Sequence, residues 1–239
     1  TMKSYWLKAA GRDTTLEMRE VPVPQPGPGQ LLLRVHATSL NRGDLLAVIA
    51  RHRADVARPV GVDAAGVVDA IGDGVTDFKP GDRVMARGHG CFAEYVLIDS
   101  VLATRVPAAW SWEHAAAVPI SFVTAWEAVV QYGRLKAGET MLVAGASSGS
   151  GVACVQAGKY LGAKVIGVSS SQDKLTKLAA LGMDAGICAR GTDFSAKALA
   201  ANGGKGVELA VNLVGGTAFA PCLKSLADFG RPAPILVIT

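Results

Sequence analysis

The chain has 239 residues, 50% of them hydrophobic and 18% charged, with a net charge of +4. That balance supports a buried core in one large domain or two smaller ones, and it argues against a disordered chain. The basic residues are scattered, which calls for no nucleic-acid partner, and the apolar runs break well before the ~18 residues a membrane helix needs.

Up to about residue 123 the pattern is that of short strands joined by turns. After the turn-rich VPVPQPGPGQ (21–30), LLLRVHATSL (31–40) alternates apolar and polar positions from Leu33 onward. VDAAGVVDAIGDGV (62–75) reads as a strand ending in a Gly-Asp-Gly turn, and FKPGDRVMA (78–86) as a Pro-Gly turn feeding another strand. CFAEYVLID (91–99) has the same character. Strands without intervening helices predict a barrel-like β domain.

After residue 124 strand and helix alternate. TMLVAGA (140–146) predicts a strand, and GVACVQAGKYLG (151–162) a helix with Ala153, Ala157, Tyr160 and Leu161 on one face. AKVIGVS (163–169) is a second strand and SQDKLTKLAALG (171–182) a second helix closed by Gly182. DAGICA and VELAVNLVGG are further strands. AFAPCLKSLADFG (218–230) reads as a helix leading to the strand APILVIT. This alternation predicts a doubly wound parallel sheet.

Within that frame, GASSGSG (145–151) follows the first strand and opens the first helix. Glycines there permit a tight turn and a close approach of backbone to a pyrophosphate, whose charge the helix N-terminus favours. Ser148, Gly149, Ser150 and Gly151 are therefore candidate cofactor-binding residues, with Ser148 standing where a glycine is common. The second strand ends in Ser169 and Ser170, where an NAD-binding fold usually places a carboxylate for the ribose 2′-hydroxyl. Hydroxyls there, with the cation Lys174 just beyond, point to the 2′-phosphate of NADPH. Asn212 and Val214 complete the cofactor-binding candidates.

The order of these blocks resembles the medium-chain dehydrogenase/reductases and, within them, the zinc-independent NADPH:quinone oxidoreductases. The resemblance rests on PVPQPGPGQLLLRVHATSLNRGD, GVDAAGVVDAIGDGVTDFKPGDRV, FAEYVLI, AAAVPISFVTAWEAV and the run from LKAGET to SSSQDK. It implies an N-terminal GroES-like catalytic domain (1–123) and a Rossmann domain (124–239) whose last part is expected beyond Thr239. It also implies hydride transfer from NADPH to a quinone or α,β-unsaturated carbonyl, and homodimerisation through an edge strand in that later part. Two alternatives stand beside this reading. One is an enoyl-thioester reductase of polyketide or fatty-acid type, the other a non-catalytic NADPH-binding protein of the lens-crystallin kind.

The resemblance implies catalytic roles for Asn41, beside the nicotinamide, and Thr124, facing it, and a cofactor contact for Arg190 after the third strand, where Ala189 replaces a tyrosine that family members often carry. Asn41 equally reads as a turn residue before Arg42-Gly43-Asp44, and Thr124 as a helix N-cap. No metal is expected. Zinc relatives carry Cys where Asn41 stands and a GHE motif where Gly61-Val62-Asp63 stands. The family's pocket tyrosine is missing from LLAVIARHRADVARP (45–59), where His52 is the nearest proton donor, with water as the other candidate. Cys91, Cys154, Cys188 and Cys222 form no CxxC and, without a visible secretion signal, predict a cytoplasmic protein.

Overall fold

The computed structural model describes residues 1–10, 13–44 and 57–235, which form two compact units, Thr1–Ile120 and Ser121–Thr239. The expected pocket segment at 45–56, with His52, lies outside the described residues.

The first unit is built on two antiparallel sheets. The smaller joins β1 (Met2–Ala10), β2 (Asp13–Val21) and β4 (Arg58–Pro59) in the order β2-β1-β4. The larger comprises β3 (Gln30–Ala37), β5 (Asp63–Ile71), β6 (Arg83–Arg87), β7 (Tyr95–Asp99) and β8 (Ala103–Arg105), ordered β7-β3-β5-β6-β8. Its core is Leu31, Leu33, Val68, Val84 and Ile98, all fully buried. The β3/β5 register shifts twice. Gly66 sits at that crossing, where a Cβ would lie 2.1 Å from the Arg34 carbonyl oxygen, so no other residue fits. A short helix, α1 (Trp112–Ala116), starts at Ser111, whose hydroxyl accepts the His114 N–H, and packs Ala115 and Ala116 against Ala65.

Helix α2 (Pro119–Trp126) contains the division between the units and continues into a π-helical stretch, Glu127–Tyr132. The second unit then alternates strictly: β9 (Thr140–Ala144), α3 (Gly149–Tyr160), β10 (Lys164–Ser169), α4 (Gln172–Ala179), β11 (Ala185–Cys188), α5 (Ser195–Ala201), β12 (Val207–Asn212), α6 (Phe219–Lys224) and β13 (Leu226–Pro234). All five strands are parallel, in the order β11-β10-β9-β12-β13. β9 is buried on both faces. Met141 and Val143 pack under α3 and α4, while Leu142 and Ala144 face the layer holding α5 and α6. Burial of Met141, Leu142 and Val143 contributes roughly 1.5–3 kcal/mol each. The fold is thus α/β, a GroES-like unit followed by a Rossmann-like parallel sheet.

Two sequence readings change. The helix expected over 218–230 is helical only at Phe219–Lys224, and Leu226 already pairs with Val207 in the sheet. A bulge then absorbs Ala227 to Gly230, with Phe229 fully exposed at φ 64°, before Arg231 pairs with Leu209. Sheet hydrogen bonding overrides the local helical period there. On α3 the expected Ala153 is fully buried, together with Gly151, Cys154, Val155 and Gly158, and Leu161 packs against the same core, whereas Tyr160 is exposed. A Cβ on Gly158 would come within 2.4 Å of Met141 Cε, so the bare helix backbone lies directly on β9. Among the described residues no helix is long and apolar enough to cross a membrane.

Candidate functional site

β9 and β12 are neighbours in the sheet, but their following helices cover opposite faces. The crevice at their carboxyl ends is the topological switch point where open α/β sheets bind ligands. A cleft of ≈ 470 Å³ opens there, lined by the turn after β9, the ends of β10 and β11, Lys174 of α4 and the loop after β12.

The turn after β9 is shaped by its glycines. Gly145 has φ 83°, in the left-handed region, and its N–H and that of Ala146 both bond to the Val168 carbonyl. Ser148 caps α3: its hydroxyl accepts the Gly151 N–H at 3.1 Å and donates to the Gly145 carbonyl at 2.8 Å. With that proton used inside the turn, Ser148 serves the helix end rather than offering a free donor. The N–H groups of Gly149 and Ser150, first in the helix, have no intrahelical acceptor. They and the helix dipole make this end a fit for a phosphate anion. Gly151 has a different task. A Cβ there would lie 2.3 Å from the Gly145 oxygen and 2.7 Å from the Ala146 carbonyl.

At the end of β10 the two serines diverge. Ser169 is buried, its hydroxyl 2.8 Å from Ser147 Oγ and accepting the Ser171 N–H, while Ser170 is exposed. Lys174 and Arg190 line the cleft, neither in an ion pair among the described residues, and no carboxylate lines it. Asp173 is exposed and lies outside the lining. Val214 lines the cleft, but Asn212 stands behind it, 3% exposed. Its Oδ1 accepts the N–H groups of Val214 and Gly215, both at 3.0 Å, and so holds the loop that carries Val214. The cleft therefore gathers Ser148, Ser169, Ser170, Lys174, Arg190 and Val214, with Gly149, Ser150 and Gly151 at the adjoining helix end. Sequence reasoning missed Ser147, Thr192 and Thr217 in its wall. Ser147 stands inside GASSGSG, and membership of that glycine-rich stretch was the available signal.

The two catalytic candidates lie in different units. Thr124 is the sixth residue of α2, half-buried, which removes the N-cap alternative for it. Asn41 opens a helical turn at residues 42–44 in the first unit, and its backbone N–H donates to Asp44 at 2.8 Å. Its side chain does not cap that turn. The amide nitrogen instead donates to Ser39 Oγ at 2.9 Å and to Asp63 Oδ2 at 3.2 Å. Asp63 is wholly buried, and Ser39 gives it a hydroxyl at 2.8 Å and an N–H at 3.2 Å. Burial raises the Asp63 carboxyl above its ordinary range, an effect opposed by the donors from Ser39 and Asn41 and the Ile120 N–H. Asp44 is raised likewise, by burial and by the Asp63 charge, against N–H donors from Asn41 and Gly61.

The chain matches the alcohol dehydrogenase GroES-like domain over residues 27–108 and the zinc-binding dehydrogenase family over residues 149–235. An NAD-dependent alcohol dehydrogenase of solved structure is 32% identical, with a TM-score of 0.88 over 97% of this chain and 76% of that one. This chain is a medium-chain dehydrogenase/reductase. A quinone oxidoreductase of Pseudomonas syringae pv. Tomato DC3000 superimposes at a TM-score of 0.84 with 29% identity, covering 95% of this chain and 71% of that one. A mycobacterial protein solved in complex with NADPH gives 0.86 at 26% identity, covering 99% and 76%. Among curated proteins, the PikAII component of the pikromycin polyketide synthase of Streptomyces venezuelae is 36% identical over 95% of this chain. A mycocerosic acid synthase-like polyketide synthase of Mycobacterium tuberculosis is 34% identical over 94%. The chain spans only 6% and 11% of those two synthases.

The second family's description raises the question of zinc, which needs thiolate, imidazole or carboxylate donors around one point. The described residues do not fit it. An amide nitrogen with both protons in hydrogen bonds stands at Asn41. The Cys91 thiol is pushed up to about 12 by burial and by the Asp63 and Asp44 charges, so it stays protonated at neutral pH. No group of three His, Cys, Asp or Glu converges among the described residues.

Proposed function

We propose that this medium-chain dehydrogenase/reductase uses NADPH, without a metal, to reduce a quinone or an α,β-unsaturated carbonyl. The observation that carries the reading is the cleft after β10: Lys174 and Arg190 line it, an exposed hydroxyl stands at Ser170, and among the described residues no carboxylate lines it to repel a 2′-phosphate. Bound in that cleft, NADPH supplies a hydride from the nicotinamide ring. The free N–H groups of Gly149 and Ser150 neutralise pyrophosphate charge, and Lys174 pairs with the 2′-phosphate. By family resemblance, Asn41 and Thr124 orient the reacting groups. An acceptor that is already electrophilic needs no Lewis acid. It takes a hydride on carbon or oxygen and a proton from water.

A second reading, an enoyl-thioester reductase, is supported by the polyketide synthase relatives, which match almost the whole of this chain. An acyl-thioester double bond is conjugated to a carbonyl and asks the same chemistry of these residues. Following NADPH oxidation at 340 nm with 9,10-phenanthrenequinone, a 2-alkenal and a crotonyl thioester separates the two. Turnover of the first pair supports the leading reading, and turnover of the thioester alone supports the second. Tight NADPH binding with no oxidation in any arm would leave the crystallin-like alternative. A marked preference for NADH would refute the cofactor assignment.

A further inference from the structure

Two serine hydroxyls of the second unit share one hydrogen bond, and their proton count fixes its direction. Ser147 Oγ, in the turn after β9, lies 2.8 Å from Ser169 Oγ at the end of β10, and both residues line the cleft. A hydroxyl has one proton to donate and two lone pairs with which to accept. The pair therefore holds two protons, of which one lies between the oxygens. Ser169 Oγ also accepts the Ser171 N–H at 3.3 Å. If Ser147 were the donor, both lone pairs of Ser169 would be filled. The Ser169 proton would then need a further acceptor, and among the described residues there is none. Ser169 is 5% exposed, and a buried hydroxyl left without its acceptor is costly. With Ser169 as the donor, its proton and both of its lone pairs are in use. Ser147 then accepts from Ser169 and keeps its own proton. Ser147 is half-buried, and no acceptor among the described residues takes that proton, so the open side it meets is the cleft. Ser148 beside it differs, because its proton is spent on the Gly145 carbonyl at 2.8 Å.

We infer that Ser147 is a ligand-binding residue that donates to a phosphate oxygen of the bound dinucleotide, and that Ser169 is the positioning residue that aims it. A phosphate is the acceptor that suits this place. Lys174 and Arg190 line the same cleft, and among the described residues no carboxylate does. The inference rests on the reading that the cleft holds NADPH.

The test titrates NADPH and NADH into the protein and reads affinity by nicotinamide fluorescence, not turnover. Ser147→Ala is expected to weaken NADPH about tenfold, the loss of one hydrogen bond to a charged acceptor. NADH then locates the oxygen. A matching loss for NADH assigns it to the pyrophosphate, which both cofactors carry, and a loss for NADPH alone assigns it to the 2′-phosphate. Ser169→Ala leaves the Ser147 hydroxyl in place but unaimed, with an expected loss of about threefold. Because Ser169 acts through Ser147, the double variant is expected to bind no more weakly than Ser147→Ala. Losses that multiply, to about thirtyfold, would make Ser169 an independent contact and overturn its positioning role. Unchanged NADPH affinity in Ser147→Ala overturns the inference and leaves the cofactor reading standing, whereas an unaltered protein that binds neither dinucleotide removes both. Adenosine, which has no phosphate, is the control. A loss that adenosine shares marks a deformed cleft and also overturns the inference. Should a variant not fold, hydroxyl-proton exchange in the unaltered protein still decides. The Ser169 proton must exchange slowly without ligand, and the Ser147 proton must become slow only when NADPH is bound.

Discussion

Gly151→Ala isolates the packing that shapes the glycine-rich turn after β9. The new Cβ would meet three backbone atoms, the Gly145 oxygen at 2.3 Å and the Ala146 carbon and oxygen at 2.7 Å each. Backbone cannot rotate aside as a side chain can, so the start of α3 has to lift off the turn by most of an ångström. Overpacking of that kind costs ~1–3 kcal/mol, while alanine in place of a helical glycine returns up to ~1 kcal/mol. The clash lies below any tolerated contact, so a net loss of about 1–2 kcal/mol is expected. At ~2–4 °C per kcal/mol, the melting temperature falls by about 2–8 °C. Gly149→Ala is the internal control. Its Cβ would meet only Ser121 Oγ at 3.1 Å, the end of a rotatable side chain, and the change in stability should lie within ~0.5 kcal/mol of zero. Circular dichroism at 222 nm follows both, because the α-helices after α2 all belong to the second unit. NADPH is expected to raise the melting temperature of Gly149→Ala and to raise that of Gly151→Ala less, since the N–H groups of the lifted helix end are misaligned. Equal stability of the two variants would refute the close-packing argument.

Lys174→Ala is expected to weaken NADPH by about ten- to a hundredfold, the loss of a charge-assisted contact of ~1.5–3 kcal/mol, while NADH binding hardly changes. Parallel losses for both cofactors would remove Lys174 from the 2′-phosphate. Asn212→Ala leaves the N–H groups of Val214 and Gly215 without their acceptor and should lower the unfolding free energy by ~1–3 kcal/mol in denaturant titration. An unchanged midpoint with lost cofactor affinity would instead make Asn212 a direct contact. Cys188 is exposed, whereas burial raises Cys91 and Cys154 to about 12 and Cys222 to about 11. One thiol per native chain should react rapidly with Ellman's reagent at neutral pH and four after unfolding, and two rapid equivalents would contradict the burial. For Asp184, burial acts to raise the carboxyl, but Lys159 and the Val165 N–H outweigh it and leave it below the usual value of 3.8. The stability it contributes is present above that value and lost as pH falls through the folded pKa. The gap between the unaltered protein and Asp184→Asn should therefore close on acidification below about pH 4, and a gap that persists there would exclude a charged partner role.

The strand–helix rhythm from Thr140 to Asn212 could be read from the chain because it is local. Apolar periodicity and the glycines of GASSGSG act over three or four residues, and the caps that the structure shows at Ser148 and Ser171 are equally local. The same locality made the cation-bearing end of β10 visible, since Ser169, Ser170 and Lys174 are nearly contiguous. Contacts between distant residues were not legible. The bond between Ser147 and Ser169 crosses 22 residues, and that between Asn41 and Asp63 spans another 22. Which serine is buried, and which end of the Asn41 amide is free, follow from those pairings alone. The segment from Leu226 to Gly230 carries a helical period yet lies in the sheet, because Val207 and Leu209 offer hydrogen-bond partners that local propensity cannot anticipate. Short-range pattern and turn chemistry determined the parallel sheet and the glycine-rich turn after β9. Burial and long-range hydrogen bonding, which exist only once the strands are paired, decided what each polar side chain is free to do.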